Sequence, residues 1–388
     1  RVIGDFEERG WIVRDGRTVA RPPPGTFSEQ FSGLAADQTH VFTLRAIDTK
    51  GRRSPPLTTR YKFEVSNPED VAPPVDPSAP KTTLDRFSYL FESADPIQRD
   101  VEKGTMERRR ASLLTGSVED RGGDAIQGVR VAIDDHPDFG HTLTRTDGEY
   151  SLLVNGGGEL VVTFEKKGYI PVDRKVSTDW RTGRTLQRVV MTERSGQKRH
   201  VDPTTDPQFI RSKSRSDSDG ARRIGLFFEQ GTVGRAVLPD GSTETLTEFD
   251  VRSTEMTVGA QGPNAMPAEL PRQSAYTFAA DIAVEQAVEA DAERINLSKT
   301  AYMYVDNFTG ATVGVTMPLG FYDRTQSRWL PSESGRVVEV LGVDGQGRAE
   351  LDITGDGKAD SSNEFQKLGM SAAERRAIAQ KYSTGETL

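Results

Sequence analysis

Between residues 111 and 194 the chain alternates apolar and polar residues in short runs, with glycine-rich breaks between them. Val129, Val131 and Ile133 share one face, with Arg130 and Ala132 on the other. Tyr150, Leu152 and Val154 repeat the pattern, and Leu160, Val162 and Phe164 follow. Gly122-Gly123, Asp147-Gly148 and Gly156-Gly157-Gly158 separate the runs. Successive side chains of a strand point to opposite faces, so a period of two buries one face and wets the other. Glycine supplies the left-handed backbone that tight turns require. The segment therefore predicts antiparallel strands closing into a sandwich.

Composition limits what surrounds it. A chain of 388 residues has room for two or three domains, each with its own core. Hydrophobic content is 35% and mean hydropathy is −0.57, the values of a polar, turn-rich protein. No apolar run approaches the roughly 18–20 residues that span a bilayer. A net charge of −8 argues against nucleic acid as a partner, since phosphate binding needs a basic face. The runs Arg108-Arg109-Arg110 and Arg222-Arg223 are local exceptions and read as solvated surface. The absence of cysteine excludes disulfide scaffolds, zinc–thiolate sites and thiol catalysis. The first residue is Arg and no signal peptide is visible, so the chain reads as an internal fragment.

Four segments follow along the chain. In residues 1–67, Phe42, Leu44 and Ala46 alternate, Asp48-Thr49-Lys50-Gly51 supplies a turn, and Tyr61, Phe63 and Val65 make the next strand. This resembles the later part of an immunoglobulin- or fibronectin-type module, with His40 near the strand corner. Residues 68–110 read as a proline-rich extended spacer and an irregular connector in which 87–98 carries one helical turn. Residues 111–194 are the sandwich. Residues 195–388 open with a polar stretch, 195–220, that lacks periodicity and reads as a flexible loop holding His200 and Ser212, Ser214, Ser216 and Ser218. Alternation then returns at Ile224, Leu226 and Phe228, at Tyr276, Phe278, Ala280 and Ile282, and at Val313, Val315 and Met317. Ser371 and Glu374 form a capping box for a short helix at 371–382. The expectation is an all-β protein of tandem β-sandwich modules with one short C-terminal helix.

The string H-P-D-F-G-H-T-L-T-R-T-D-G at 136–148, followed by V-N-G-G-G at 154–158, resembles the transthyretin-like (carboxypeptidase-regulatory-like) domain. More narrowly, it resembles the form found in teneurins and in bacterial RHS/YD-repeat proteins. The lead-in A-D-P-I-Q, the segment at 251–271, Y-V-D-N-F-T-G-A-T-V-G-V-T-M-P-L-G-F-Y-D at 304–323 and Trp329 followed by S-E-S-G-R-V-V at 332–338 extend the resemblance over roughly residues 84–388. It implies a plug-like β domain at 195–388 ahead of a YD-repeat shell of the same polypeptide. That shell encloses a C-terminal effector of a secreted or surface-displayed bacterial toxin. A YD array repeats Tyr-Asp every twenty or so residues; here Tyr322-Asp323 stands alone. The alternative is an adhesin whose modules bind a cell-surface receptor or glycan, for which exposed Trp180 or Trp329 is the sign. Transthyretin-like domains also flank carboxypeptidases, but nothing in the chain encodes a peptidase.

Chemistry is sparse. The stretch D-I-T-G-D-G-K-A-D at 352–360 resembles a calcium loop, with Asp352, Thr354, Asp356, Lys358 and Asp360 as candidate ligands and Gly357 at the turn. Thr354 stands where the loop prefers Asp or Asn, and Asn363 where it prefers Glu. His136, Asp138 and His141 read as a structural turn with Phe139 packed inward, although zinc favours such groups. No G-x-S-x-G elbow is present, so no catalytic residues are expected. The aromatics Tyr302, Tyr304, Phe308, Phe321, Tyr322 and Trp329 read as sandwich core or as a surface that docks into a neighbouring shell.

Overall fold

The computed structural model describes residues 2–6, 9–14, 17–20, 25–29, 39–47, 52–62, 65–74, 76, 78, 81–271 and 276–388. Strands take 39% of the chain and helices 12%, which places it in the all-β class. It divides into two compact units, Arg1–Lys166 with Lys175–Val189, and Lys167–Arg174 with Val190–Leu388.

Six strands open the first unit: β1 (Val2–Phe6), β2 (Arg9–Arg14), β3 (Arg17–Ala20), β4 (Gly25–Glu29), β5 (Thr39–Ile47) and β6 (Leu57–Lys62). β1 pairs with β4, and the others form a sheet in the order β3-β2-β5-β6. Phe42 and Leu44 of β5 are buried, as their alternation requires. The expected turn at 48–51 and Phe63 lie outside the described residues. The spacer expected from 68 begins instead with a helical turn, α1 (Pro68–Val71). Asn67 caps it by accepting the Glu69 N–H at 3.1 Å, and Pro68 takes a first-turn position where a missing N–H costs nothing. Two more short helices follow, α2 (Thr83–Phe87), with a Thr82/Asp85 capping box, and α3 (Tyr89–Glu92).

The sandwich is built from β7 (Ala111–Asp120), β8 (Arg130–Ile133), β9 (His141–Leu143), β10 (Glu149–Asn155), β11 (Gly158–Glu165), β12 (Val172–Thr178) and β13 (Gly183–Thr185), and β14 (Val189–Met191) follows. One sheet runs β10-β7-β13 and the other β12-β11-β8-β9. Leu152 stands opposite Leu114 in the first and Val162 opposite Ile133 in the second. Tyr150 and Phe164 meet edge to face at 5.5 Å in the core. The period-two reading of β8, β10 and β11 is thus correct in position. It understates β10, which is buried on both faces from Tyr150 to Asn155.

The cover on that second face comes from the lead-in. Leu90 and Ile97 cluster with Leu153, flanked by Leu84, Phe87 and Phe91. Gln98, fully buried, donates through Nε2 to the carbonyls of Phe139 (2.7 Å) and Leu153 (2.8 Å) and accepts the Leu153 N–H through Oε1 (2.7 Å). The segment expected as an irregular connector is therefore a third layer over β10.

The second unit holds β15 (Arg199–Val201), β16 (Gln208–Arg211), β17 (Arg215–Asp217), β18 (Gly220–Arg222), β19 (Ile224–Phe228), β20 (Gly234–Val237), β21 (Thr243–Leu246), β22 (Phe249–Glu255), β23 (Ala280–Val284), α4 (Glu285–Glu289), β24 (Arg294–Leu297) and β25 (Tyr302–Val305). Their sheets run β15-β22-β23, β16-β19-β25 and β21-β20-β24 around a core that includes Leu226, Phe228, Phe249 and Val251. The stretch 195–220, expected as a loop, contains three of these strands and the first residue of a fourth, β18. β16 pairs with β19 in register Gln208↔Phe228, and β17 forms a hairpin with β18. Of the alternation at 276–282, only Ala280–Ile282 falls in a strand.

Arg222 corrects a further expectation. It is not a solvated surface residue but among the largest fully buried side chains. Its guanidinium takes both Asp217 carboxylate oxygens (2.8 and 2.9 Å), reaches Glu255 at 3.5 Å, and lies 4.4 Å from the Phe308 ring centroid.

The chain ends with β26 (Thr316–Met317), β27 (Gly320–Asp323), β28 (Arg328–Pro331), β29 (Gly335–Arg336), β30 (Glu339–Val343), β31 (Ala349–Asp352), α5 (Ser362–Lys367) and α6 (Ala372–Lys381). The expected capping box is present: Ser371 accepts the Glu374 N–H at 3.1 Å, and Glu374 accepts the Ser371 N–H at 3.1 Å. Ile378 of α6 packs with Val340, Leu351 and Phe365.

Candidate functional site

The 352–360 loop closes on its own backbone. The buried Asp352 carboxylate accepts the N–H groups of Thr354 (3.1 Å), Gly355 (2.6 Å) and Gly357 (2.7 Å). Asp360 accepts those of Ile353 (2.6 Å) and Thr354 (3.0 Å) and the Thr354 hydroxyl (3.2 Å), and Asp356 accepts that of Lys358 (2.9 Å). Burial raises the Asp352 carboxyl, but the N–H groups of Gly355, Gly357, Thr354 and Asp356 outweigh it and leave the carboxyl below its ordinary value. An ionised carboxylate offers about four lone-pair sites, which four N–H groups fill. Among the described residues no three carboxylates or imidazoles are grouped as metal ligands. Calcium here would have to draw Asp352, Asp356 and Asp360 together and displace N–H donors.

The loop also braces its neighbour. A Cβ on Gly314 would stand 2.5 Å from the Thr354 carbonyl, and one on Gly355 2.5 Å from the Val313 carbonyl. Both glycines have positive φ, so no other residue fits without strain. Asp352→Ala removes the charged acceptor for the part-buried N–H groups of Thr354, Gly355 and Gly357. It should lower unfolding free energy by about 1–3 kcal/mol in urea titrations. Because the folded carboxyl lies below its unfolded value, its contribution is full above the ordinary carboxylate pKa and is lost as pH falls through the folded value.

The braced segment leads to three exposed apolar residues close in sequence. Val315, Leu319 and Phe321 are 45%, 43% and 50% exposed. β27 and β28 form a hairpin with Phe321 opposite Leu330 and Tyr322 opposite Trp329. Neighbouring residues of a strand face opposite ways. The Tyr322 face is anchored: its ring lies 5.4 Å from that of Trp329, whose Nε1 donates to the Glu269 carbonyl at 3.2 Å. Arg324 donates to the Pro171 carbonyl at 2.8 Å and lies 3.6 Å from Asp173. Burial and the nearby Asp173 push the Tyr322 hydroxyl up. On the other face Phe321 is exposed and its partner Leu330 is half-buried.

The other expected groups take structural places. Tyr304 packs 5.6 Å from Phe209, its hydroxyl donating to Glu374, and Phe308 lies beneath Arg222. The aromatics at 302–329 therefore divide between core and surface. His136 stacks on Phe139 at 4.5 Å, and Asp138 accepts the Thr105 hydroxyl at 2.7 Å. Burial and the neighbouring Arg130 lower His141 below the ordinary imidazole value, against the pull of Asp100. His200 stands on β15, 3.1 Å from Asp250. Of the two tryptophans named for a binding role, Trp329 is tied to Glu269, whereas Trp180 is 55% exposed.

The sandwich defines a class, a transthyretin-like β domain. More narrowly, residues 106–191 match the family model described as the Teneurin TTR-like domain, and this part of the chain is a teneurin-like TTR domain region. Teneurin-1 of Gallus gallus is 31% identical over 121 residues, which is 31% of this chain and 4% of that protein. Teneurin-m of Drosophila melanogaster is 29% identical over 155 residues, 40% of this chain and 5% of that protein. The match thus spans a small part of the length of these curated relatives. A streptococcal ancillary pilin is similar over 63% of this chain and 72% of its own at 10% identity, with a TM-score of 0.20. No helix among the described residues is long and apolar enough to cross a membrane.

Proposed function

We propose that this chain is a non-catalytic structural and interaction region of an RHS/YD-repeat protein, lying ahead of a YD-repeat shell, and that the stripe at 315–321 faces that shell. The teneurin-like domain supports a structural and interaction role. The observation that carries the finer reading is the hairpin anchored on its Tyr322 face with Val315, Leu319 and Phe321 open. An apolar surface held rigidly by polar anchors gains by being covered, at roughly 25 cal/mol per Å². In this reading the shell encloses an effector that this chain touches only indirectly, and the whole protein is secreted or displayed at the bacterial surface. The adhesin alternative rests on Trp180.

The stripe has a direct test. The chain should bind a hydrophobic dye, and Leu319→Ser with Phe321→Ser should remove most of that fluorescence while shifting unfolding free energy by less than about 0.5 kcal/mol, as for exposed sites. Unchanged dye binding would place the exposed apolar surface elsewhere. Calcium at Asp352, Thr354, Asp356, Lys358 and Asp360 remains part of the proposal. Binding requires melting to rise in calcium over EDTA and Asp356→Ala to abolish the rise, by mass action on the folded state. Equal melting assigns the loop to the self-capped turn alone.

A further inference from the structure

One end of the sandwich carries a platform that the shell-facing reading leaves unused. Three segments meet there, the residues before β7, the β10–β11 turn and the β12–β13 connection. The Gly156 N–H donates to the Arg110 carbonyl at 2.8 Å, and Arg110 Nε returns to the Gly156 carbonyl at 3.2 Å. The Arg181 N–H donates to the Ala111 carbonyl at 3.1 Å, and Arg181 Nε to that of Arg109 at 3.3 Å. Trp180 lies on this seam. A Cβ on Gly157 would stand 1.9 Å from the indole Nε1 and 2.6 Å from Cδ1, and its φ is +104°. The indole is thus seated against a backbone floor that glycine alone provides, while 55% of the residue remains open to solvent.

Two exposed arginines, Arg109 and Arg181, lie on the same seam as the ring. Among the described residues Trp180 Nε1 makes no hydrogen bond, and Arg109 and Arg181 make no ion pair. Arg108 is held by Asp85 at 2.9 Å and Arg110 by Glu107 at 3.0 Å. Asp179 adds one exposed carboxylate, which a ligand must avoid. The seam therefore offers a seated aromatic surface with two exposed arginines, Arg181 next to Trp180 in sequence and Arg109 joined to Arg181 through its carbonyl, within a chain of net charge −8. Guanidinium forks match carboxylates two bonds at a time. An aromatic ring stacks on a flat apolar face, and tryptophan and arginine dominate binding hot spots. A peptide carboxylate uses the arginines and leaves the ring idle, whereas a neutral sugar does the reverse.

We propose that Trp180, Arg109 and Arg181 form a binding platform for a glycan of carboxylate-bearing pyranoses, with a sugar ring on the indole and its carboxylate on the guanidinium groups. This surface lies on the sandwich unit and does not rest on the shell-facing reading.

Calorimetric titration of the intact chain tests it, with oligogalacturonate as the probe and maltohexaose and polyglutamate as controls. Oligogalacturonate should bind, and more weakly as salt rises. Trp180→Ala and Arg181→Gln should each weaken it about tenfold or more, the scale of a hot spot. Trp180→Tyr should keep part of the affinity because it keeps an aromatic face, so a loss in Trp180→Ala through misfolding is told apart. Absence of oligogalacturonate binding, insensitivity to Trp180→Ala, or equal binding of polyglutamate would overturn the proposal.

Discussion

Replacing Gln98 by alanine should lower the unfolding free energy of the sandwich by about 3 kcal/mol or more, although Gln98 lies outside its strands. The carboxamide serves the Phe139 and Leu153 carbonyls and the Leu153 N–H, all at 2.7–2.8 Å and fully inside. Removing one partner of a buried hydrogen bond leaves the other without water, at about 1–3 kcal/mol per group. Gln98→Glu should be worse, because it replaces the donor facing two carbonyls with an oxygen and buries a charge. Urea unfolding followed by tryptophan fluorescence and circular dichroism reads both. A loss below about 0.5 kcal/mol would mean that the lead-in is a loose cover rather than a layer of the domain.

Arg222→Met should destabilise the second unit by about 3–5 kcal/mol, the cost of breaking a buried ion pair from one side. Met fills much of the space, so the loss reports charge. Asp217 and Glu255 would then face each other without the guanidinium that now lies 2.8 Å from one and 3.5 Å from the other. Adding Asp217→Asn and Glu255→Gln should restore much of the stability, since removing all the charges together is often neutral. Acidity gives an independent check. The Arg222 hydrogen bonds, then the Gly259 N–H, hold the Asp217 carboxyl well below its usual range. Its contribution is complete above the ordinary carboxylate pKa and is lost as pH falls through the depressed folded value. Arg222→Met should flatten that acid limb, and an unaltered limb would remove Asp217 from the account.

What the residues disclosed, and what they hid, follows from distance along the chain. Alternation located β8, β10 and β11, and the Ser371/Glu374 pair located α6, because each signal is local. Gln98 carries no such signal: its partners lie 41 and 55 residues away, and a lone Gln in a polar lead-in looks solvated. Arg222 beside Arg223 reads as a surface run until the fold brings Glu255, 33 residues on, against it. β17 is short and polar and pairs with β18 alone, so no hydrophobic alternation marks it. The 352–360 turn was legible as a turn. How its carboxylates share the N–H groups was not, since identical residues serve an ion or a cap. Aromatic content at 302–329 was visible, but the division between half-buried Tyr304, packed on Phe209, and open Phe321 depends on which face of each strand is covered.

The central claim, that this region packs against a YD-repeat shell through 315–321, is tested most directly by hydrogen exchange. Backbone amides around 315–331 are compared between this chain alone and the same region beside the proposed shell. Covering the stripe should slow exchange there by at least about tenfold, while the 111–165 strands, already closed on their own core, exchange alike in both. Equal exchange at 315–331 in the two would contradict a shell-facing role and leave the stripe as ordinary exposed surface.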